Sequence, residues 1–194
     1  MKLIIGLGNP GAHYAPSRHN IGFSVVRALG KLHKAAFKRD IGTSSLSAKI
    51  RFGGQNVLLA LPLTYMNLSG NAACALLKKY KIDISDLLVV CDDLDLELSR
   101  LKIKPCGSSA GHNGMQSIIE ALGSSEFSRL RLGINRPPRN VDPAEYVLTS
   151  FSRKEKEEAN QVIERAVECS ESWIRKGITE TMNMFNRTKT IKGD

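Results

Sequence analysis

The sequence predicts an α/β fold: a single domain over residues 1–194 in which a mixed, twisted β-sheet is sandwiched between helices. Three observations carry that expectation. Short strand-like runs interleave with segments of helical spacing along the whole chain. Leu87 to Cys91 is a continuous apolar run of the length a central strand needs. No repeat, low-complexity tract or linker divides the chain, and 42% hydrophobic with 24% charged residues is the composition of a globular protein with a real core. Disordered, collagenous and fibrous classes are excluded.

Leu3 to Ile5 with Leu7 read as a buried strand running into the glycine loop Gly6-Leu7-Gly8-Asn9-Pro10-Gly11. From about Asn20, residues Ile21, Val25, Ala28, Leu29, Leu32 and Ala36 recur at helical spacing. Runs at 46–52 and 56–61, split by Gly53-Gly54, predict a hairpin. A helix follows from about Ser69 to Tyr80, and then the strand at 87–91. Leu101 and Ile103 alternate with Lys102 and Lys104, and Leu130, Leu132 and Ile134 alternate with Arg129, Arg131 and Gly133, which predicts two strands with one basic face each. Between them a Gly/Ser-rich loop at 107–111 leads into a helix carrying Ile118, Ile119 and Leu122. The chain turns after Pro137-Pro138, Ser152-Arg153-Lys154-Glu155 has the spacing of a capping box, and the last forty residues read as one or two helices.

Charge is distributed unevenly. The net charge is +9, yet residues 1–39 hold seven Lys/Arg and no acid, whereas residues 40–99 hold five against seven. Residues 100–151 return to excess, with seven against four. Such blocks point to a polyanionic partner rather than an evenly solvated surface. The longest apolar runs fall far short of the roughly 20 residues a spanning helix requires, so no membrane partner is expected. The N-terminus enters a strand-like run without the pattern of a signal peptide, which predicts a cytoplasmic protein. Cys74, Cys91, Cys106 and Cys169 form no close pair and are expected as free thiols.

Several motifs invite chemistry. Gly6, Gly8 and Gly11 match GxGxxG, but Pro10 stands inside the loop and no acid precedes Asp40, so a dinucleotide site is disfavoured against a loop that approaches a substrate closely. Gly107 to Gly111 matches GxSxG, yet a nucleophile elbow at Ser109 needs an acid and then a later histidine, and the last histidine is His112. Asp92, Asp93, Asp95 and Glu97 crowd the end of the central strand, where α/β folds place ligands. Their spacing matches no calcium loop, and an acid there serves equally to orient a histidine. A lone histidine is more often a packed or surface residue. Here His19 and His112 each precede an asparagine in a glycine-flanked loop, as the polar segment Thr64-Tyr65-Met66-Asn67 also lies between elements. Histidine, asparagine and aspartate together suggest water attack under general-base control, with amides placing the water and the oxyanion.

Taken together these segments resemble the bacterial-type peptidyl-tRNA hydrolase family. The matching stretches are Gly-Leu-Gly-Asn-Pro-Gly at 6–11 with Tyr14, Arg-His-Asn-Ile-Gly at 18–22, and Leu-Pro-Leu-Thr-Tyr-Met-Asn-Leu-Ser-Gly at 61–70. Asp-Asp-Leu-Asp-Leu at 92–96, Gly-His-Asn-Gly at 111–114 and Arg-Leu-Arg-Leu-Gly at 129–133 complete the set. The resemblance implies a metal-independent esterase, without cofactor, that frees tRNA from peptides by cutting the ester at the 3′-terminal ribose. It implies His19 as general base and Asp92 as the carboxylate on its other ring nitrogen. Asn9, Asn67 and Asn113 would hold water, carbonyl or 3′ end, with Tyr14 and Tyr65 in the substrate-binding set. Lys104, Arg131 and His112 would grip the tRNA 5′-phosphate. The expected partner is peptidyl-tRNA, engaged at the acceptor stem and 3′ CCA end, with no DNA, and the expected state is a monomer. This chain departs from the pattern at Leu61, where lysine is usual, at Ser17 for threonine, and at Cys106, Ala110 and Asn135, where glycines are common. The rivals are a catalytically silent RNA-binding relative and a metal-dependent hydrolase centred on the 92–97 acids.

Overall fold

Strand β1 (Lys2–Gly6) sets the layering: Leu3 and Ile5 join one apolar cluster and Ile4 the other, as two-residue alternation requires of a strand covered on both faces. In the computed structural model, which describes residues 1–186, the chain continues through α1 (Ile21–Leu32), β2 (Lys38–Asp40), β3 (Ser45–Phe52), β4 (Gln55–Pro62) and α2 (Ser69–Tyr80). There follow β5 (Leu87–Asp93), β6 (Leu101–Lys104), α3 (Asn113–Leu122), β7 (Ser128–Gly133), α4 (Pro143–Tyr146) and α5 (Glu155–Phe185). The seven strands form one sheet in the order β2-β3-β4-β1-β5-β7-β6. Strands β4, β1, β5 and β7 are parallel, and the β2-β3 and β6 edges are antiparallel. Helices α1 and α5 cover one face around Val26, Leu29 and Trp173; α2 and α3 cover the other around Leu76, Met115 and Ile118. The predicted mixed sheet between helices is therefore observed.

Two glycines explain how the layers close near the strand ends. A Cβ on Gly6 would meet the Gly22 carbonyl, and one on Gly22 would meet the Val90 carbonyl, so α1 lies against β1 and β5 closer than side chains allow. The GxGxxG-like loop is thus a close-approach device, and it places the turn before α1 over the end of β5.

Two differences from the sequence-based expectation have physical causes. Hydrophobic patterning does not predict strand β2, because its three residues, Lys-Arg-Asp, carry no apolar signal; it forms around the buried Asp40, whose carboxylate accepts bonds from Ser47, Lys79 and Tyr80. The basic face expected of β7 is only partly a surface: Arg129 is 1% exposed and donates to the carbonyls of Gly107, Ser108 and Ser125, bracing the 107–111 loop. The capping box is present, with Ser152 N–H donating to Glu155 at 2.8 Å and Glu155 N–H to the Ser152 hydroxyl at 3.3 Å. The helix it starts is one run broken at Gly177 (φ 76°), after which Asn186 pairs with both backbone groups of Ile103 on edge strand β6. The rest of the predicted C-terminal helix, residues 187–194, lies outside the described residues.

Candidate active site

The parallel strands end along one side of the sheet, where open α/β folds bind ligands, and three of them lead into a polar residue there. Asp92 lies at the end of β5, Asn9 three residues past β1, and Asn67 past β4. His19 belongs to a single 3-10 turn (Arg18–Asn20) leading into α1, and His112 is the N-cap of α3.

Asp92 is 4% exposed and lies between the two imidazoles. Its Oδ1 accepts from His19 Nδ1 at 2.8 Å and from His112 Nε2 at 3.0 Å. Burial disfavours its charge, but the nearby His112 and His19 rings outweigh that cost and hold the carboxyl well below the usual carboxylate range. Tautomers follow from the remaining bonds. His112 Nδ1 accepts from the backbone N–H groups of Gly114 (3.1 Å) and Met115 (3.3 Å), so its proton is on Nε2. His19 donates from Nδ1, leaving Nε2 as a lone pair without a hydrogen-bond partner among the described residues. The two rings lie 4.8 Å apart, tilted by 37°.

Asn9 is oriented just as firmly. Its Oδ1 accepts from Met66 N–H at 2.8 Å, while its backbone exchanges bonds with the Asn20 amide at 2.8 and 2.9 Å. Among the described residues no acceptor meets the Asn9 Nδ2 group, which is left as a donor. Asn67, Tyr65 and Asn113 are exposed and Tyr14 is half-buried; of these four, Asn113 alone lines the cavity beside His19. Sequence reasoning gives Asn20 no role, although its place directly after His19 is a signal that could have found it.

A cavity of about 730 Å³ opens on the His19–Asp92–His112 group, lined also by Asn113 and Arg131 and by residues between Arg136 and Val147, whereas Asn9 lines a separate, neighbouring pocket. Ser109 lines the larger cavity too, but among the described residues no serine or cysteine bonds to His19. Of the predicted phosphate group, Lys104 is half-buried, and Arg131 pairs through Nε with Asp93 at 2.7 Å. Lys102 and Lys104 lie opposite Arg131 and Arg129 across the β6-β7 ladder, so all four occupy one face. His112, expected among them, instead has both ring nitrogens engaged, with Asp92 and with the start of α3. Two departures from the family pattern sit at left-handed backbone positions that glycine would normally take: Ala110 at φ 49° and Asn135 at φ 63°.

His19, Asp92 and His112 could place three ligand atoms within 4.8 Å of one another. A metal held there would need a lone pair on His112 Nε2, whereas the two amides at Nδ1 keep the proton on Nε2. The donor set therefore fits hydrogen bonding better than coordination.

Fold and site together define an α/β enzyme organised around a buried histidine–aspartate pair. The peptidyl-tRNA hydrolase family model matches residues 3–193. A peptidyl-tRNA hydrolase of Chloroflexus aggregans is 46% identical over 96% of this chain and 99% of its own, and one of Bacillus cytotoxicus is 42% identical over 96% and 100%. The crystal structure of peptidyl-tRNA hydrolase from Acinetobacter baumannii superposes with a TM-score of 0.89 at 32% identity, covering 94% of this chain and 93% of that one. The chain belongs to the peptidyl-tRNA hydrolase family and is a hydrolase of that kind. Among the described residues no helix is long and apolar enough to cross a membrane.

Proposed function

We propose that the protein cleaves the ester between a peptide's C-terminus and the 3′-terminal ribose of tRNA by general-base attack of water, with His19 as the base. The observation that carries this reading is the Asp92–His19 pair: one ring nitrogen is fixed at 2.8 Å and the other is left free at the cavity wall. His19 Nε2 takes a proton from water as the water oxygen bonds to the ester carbonyl carbon. The Asn9 Nδ2 group donates to the developing oxyanion. When the tetrahedral species collapses, the bond from carbon to the ribose 3′-oxygen breaks, and His19 returns its proton to that oxygen. Asp92 holds the tautomer and stabilises the imidazolium, staying ionised itself because two N–H groups donate to it.

Asn67 and Asn113 place the carbonyl, the water or the 3′ end, with Tyr14 and Tyr65 beside them. Lys104 and Arg131 hold phosphate of the acceptor stem, near the 3′ CCA end. Contacts of that kind supply affinity without reading sequence, as an enzyme acting on many tRNAs requires. We read the protein as a monomer and as cytoplasmic, its four free thiols agreeing with a reducing compartment. Deacylation of an N-blocked aminoacyl-tRNA tests the reading: release above a buffer control, undiminished by EDTA at fixed free Mg²⁺, is expected. No release would favour a silent RNA-binding protein, and loss with EDTA a metal hydrolase.

A further inference from the structure

The segment from Pro137 to Glu155 meets the site from two directions. Pro137, Pro138, Val141, Pro143 and Val147 wall the cavity. The same segment also holds the backbone of the turn that carries His19. The Thr149 carbonyl accepts from Arg18 N–H at 2.9 Å, the Val147 carbonyl accepts from His19 N–H at 2.8 Å, and Ser17 forms an isolated antiparallel bridge with Ser150.

Arg18 ties these pieces together. Only 5% exposed, it donates from Nη2 to Glu155 at 2.8 Å and from Nε to the Thr149 hydroxyl at 3.2 Å. Its Nη1 has no acceptor among the described residues, and the guanidinium lies over the rings of Tyr146 (4.4 Å) and Phe151 (4.8 Å). The Glu155 oxygen that Arg18 meets also accepts Ser152 N–H, so one atom closes the capping box of α5 and receives the arginine. Tyr146 in turn donates to the Ile134 carbonyl, just past β7.

The turn needs such support. It is three residues long with no side-chain cap, and a 3-10 segment of that length has little rigidity of its own. We propose that Arg18 and Glu155 are positioning residues whose ion pair latches the 137–155 strap onto this turn and so fixes His19 relative to Asp92 and the bound ester. The inference rests on His19 being the base.

Glu155→Ala and Arg18→Lys should lower kcat about 10-fold or more with KM within about twofold, since a displacement near 1 Å can cost up to about 10²-fold. Glu155→Gln, which keeps an acceptor for both donors, should restore kcat to within about threefold of wild type, because a neutral acceptor still makes the hydrogen bond. Ser152→Ala weakens the same capping box without touching Arg18, so it should lower Tm and leave kcat unchanged. If Glu155→Ala does not fold, Arg18→Lys and Glu155→Gln still decide. The latch is overturned if both Arg18→Lys and any folded Glu155→Ala keep wild-type kcat, or if the loss appears in KM alone. His19→Ala run in the same assay separates the two ideas: wild-type turnover there removes the base itself, whereas a dead His19→Ala beside a fully active Arg18→Lys removes only the latch.

Discussion

The end of β5 and the β6-β7 edge lie close together on one sheet and are built in opposite ways. At the end of β5, Asp92, His19, Asn9 and Asn20 are all at least nine-tenths buried, and among the described residues their bonds leave one lone pair on His19 and one amide group on Asn9 without a partner. At the other edge Lys102 is exposed, Lys104 is half-buried, and Arg131 is only partly buried and forms an ion pair with Asp93. Proton transfer depends on geometry to a few tenths of an ångström and needs over-determined side chains. Holding a phosphate depends on field and tolerates mobile cations. The lesson is that the two tasks should fail separately.

The largest effect is expected for His19→Ala, a fall in kcat of about 10²- to 10⁴-fold from loss of the base, read by single-turnover deacylation. Asp92→Asn comes next: the side chain keeps one oxygen for two N–H donors and loses its charge, so kcat should fall about 10²- to 10³-fold while KM holds. Lys104→Ala should act on the other region, raising KM several-fold and reducing the slope of log affinity against log salt by about 0.7 to 0.9 for each phosphate no longer neutralised. An equal loss on a minimal ester lacking the tRNA body would contradict that role. The smallest effect concerns acid stability. Arg18 above all holds the Glu155 carboxyl down to about 2. Its contribution is therefore complete above the ordinary carboxylate range near 4.5 and is lost as pH falls through about 2. Glu155→Gln should lower Tm at pH 6 and converge with wild type as the pH approaches 2.

Much of this division is legible in the sequence. Asp92, His19, Asn9 and Asn67 stand in motifs at element ends, and the apolar run at 87–91 places the acid at the end of a central strand. What stays hidden has to do with burial. An alternating Lys/Arg pattern marks a face but not its exposure, so Arg129, whose guanidinium meets backbone carbonyls, reads as surface. Arg18 likewise counts toward an acid-free basic segment, although its partner Glu155 lies 137 positions away. The phosphate role that the family resemblance implies for His112 does not show its two partners, the carboxylate of Asp92 and the first amides of α3, which meet it only in three dimensions. Strand β2 exists through the side chain of Asp40, a signal that hydrophobic periodicity does not carry.

The most direct test of separable chemistry and tRNA holding is the affinity of His19→Ala for intact peptidyl-tRNA, measured from low to physiological salt. Affinity and salt slope equal to those of wild type bound to a non-cleavable analogue, together with lost turnover, are the predicted result. A fall in affinity that matches the fall in rate would show that one set of residues does both jobs and would contradict the division.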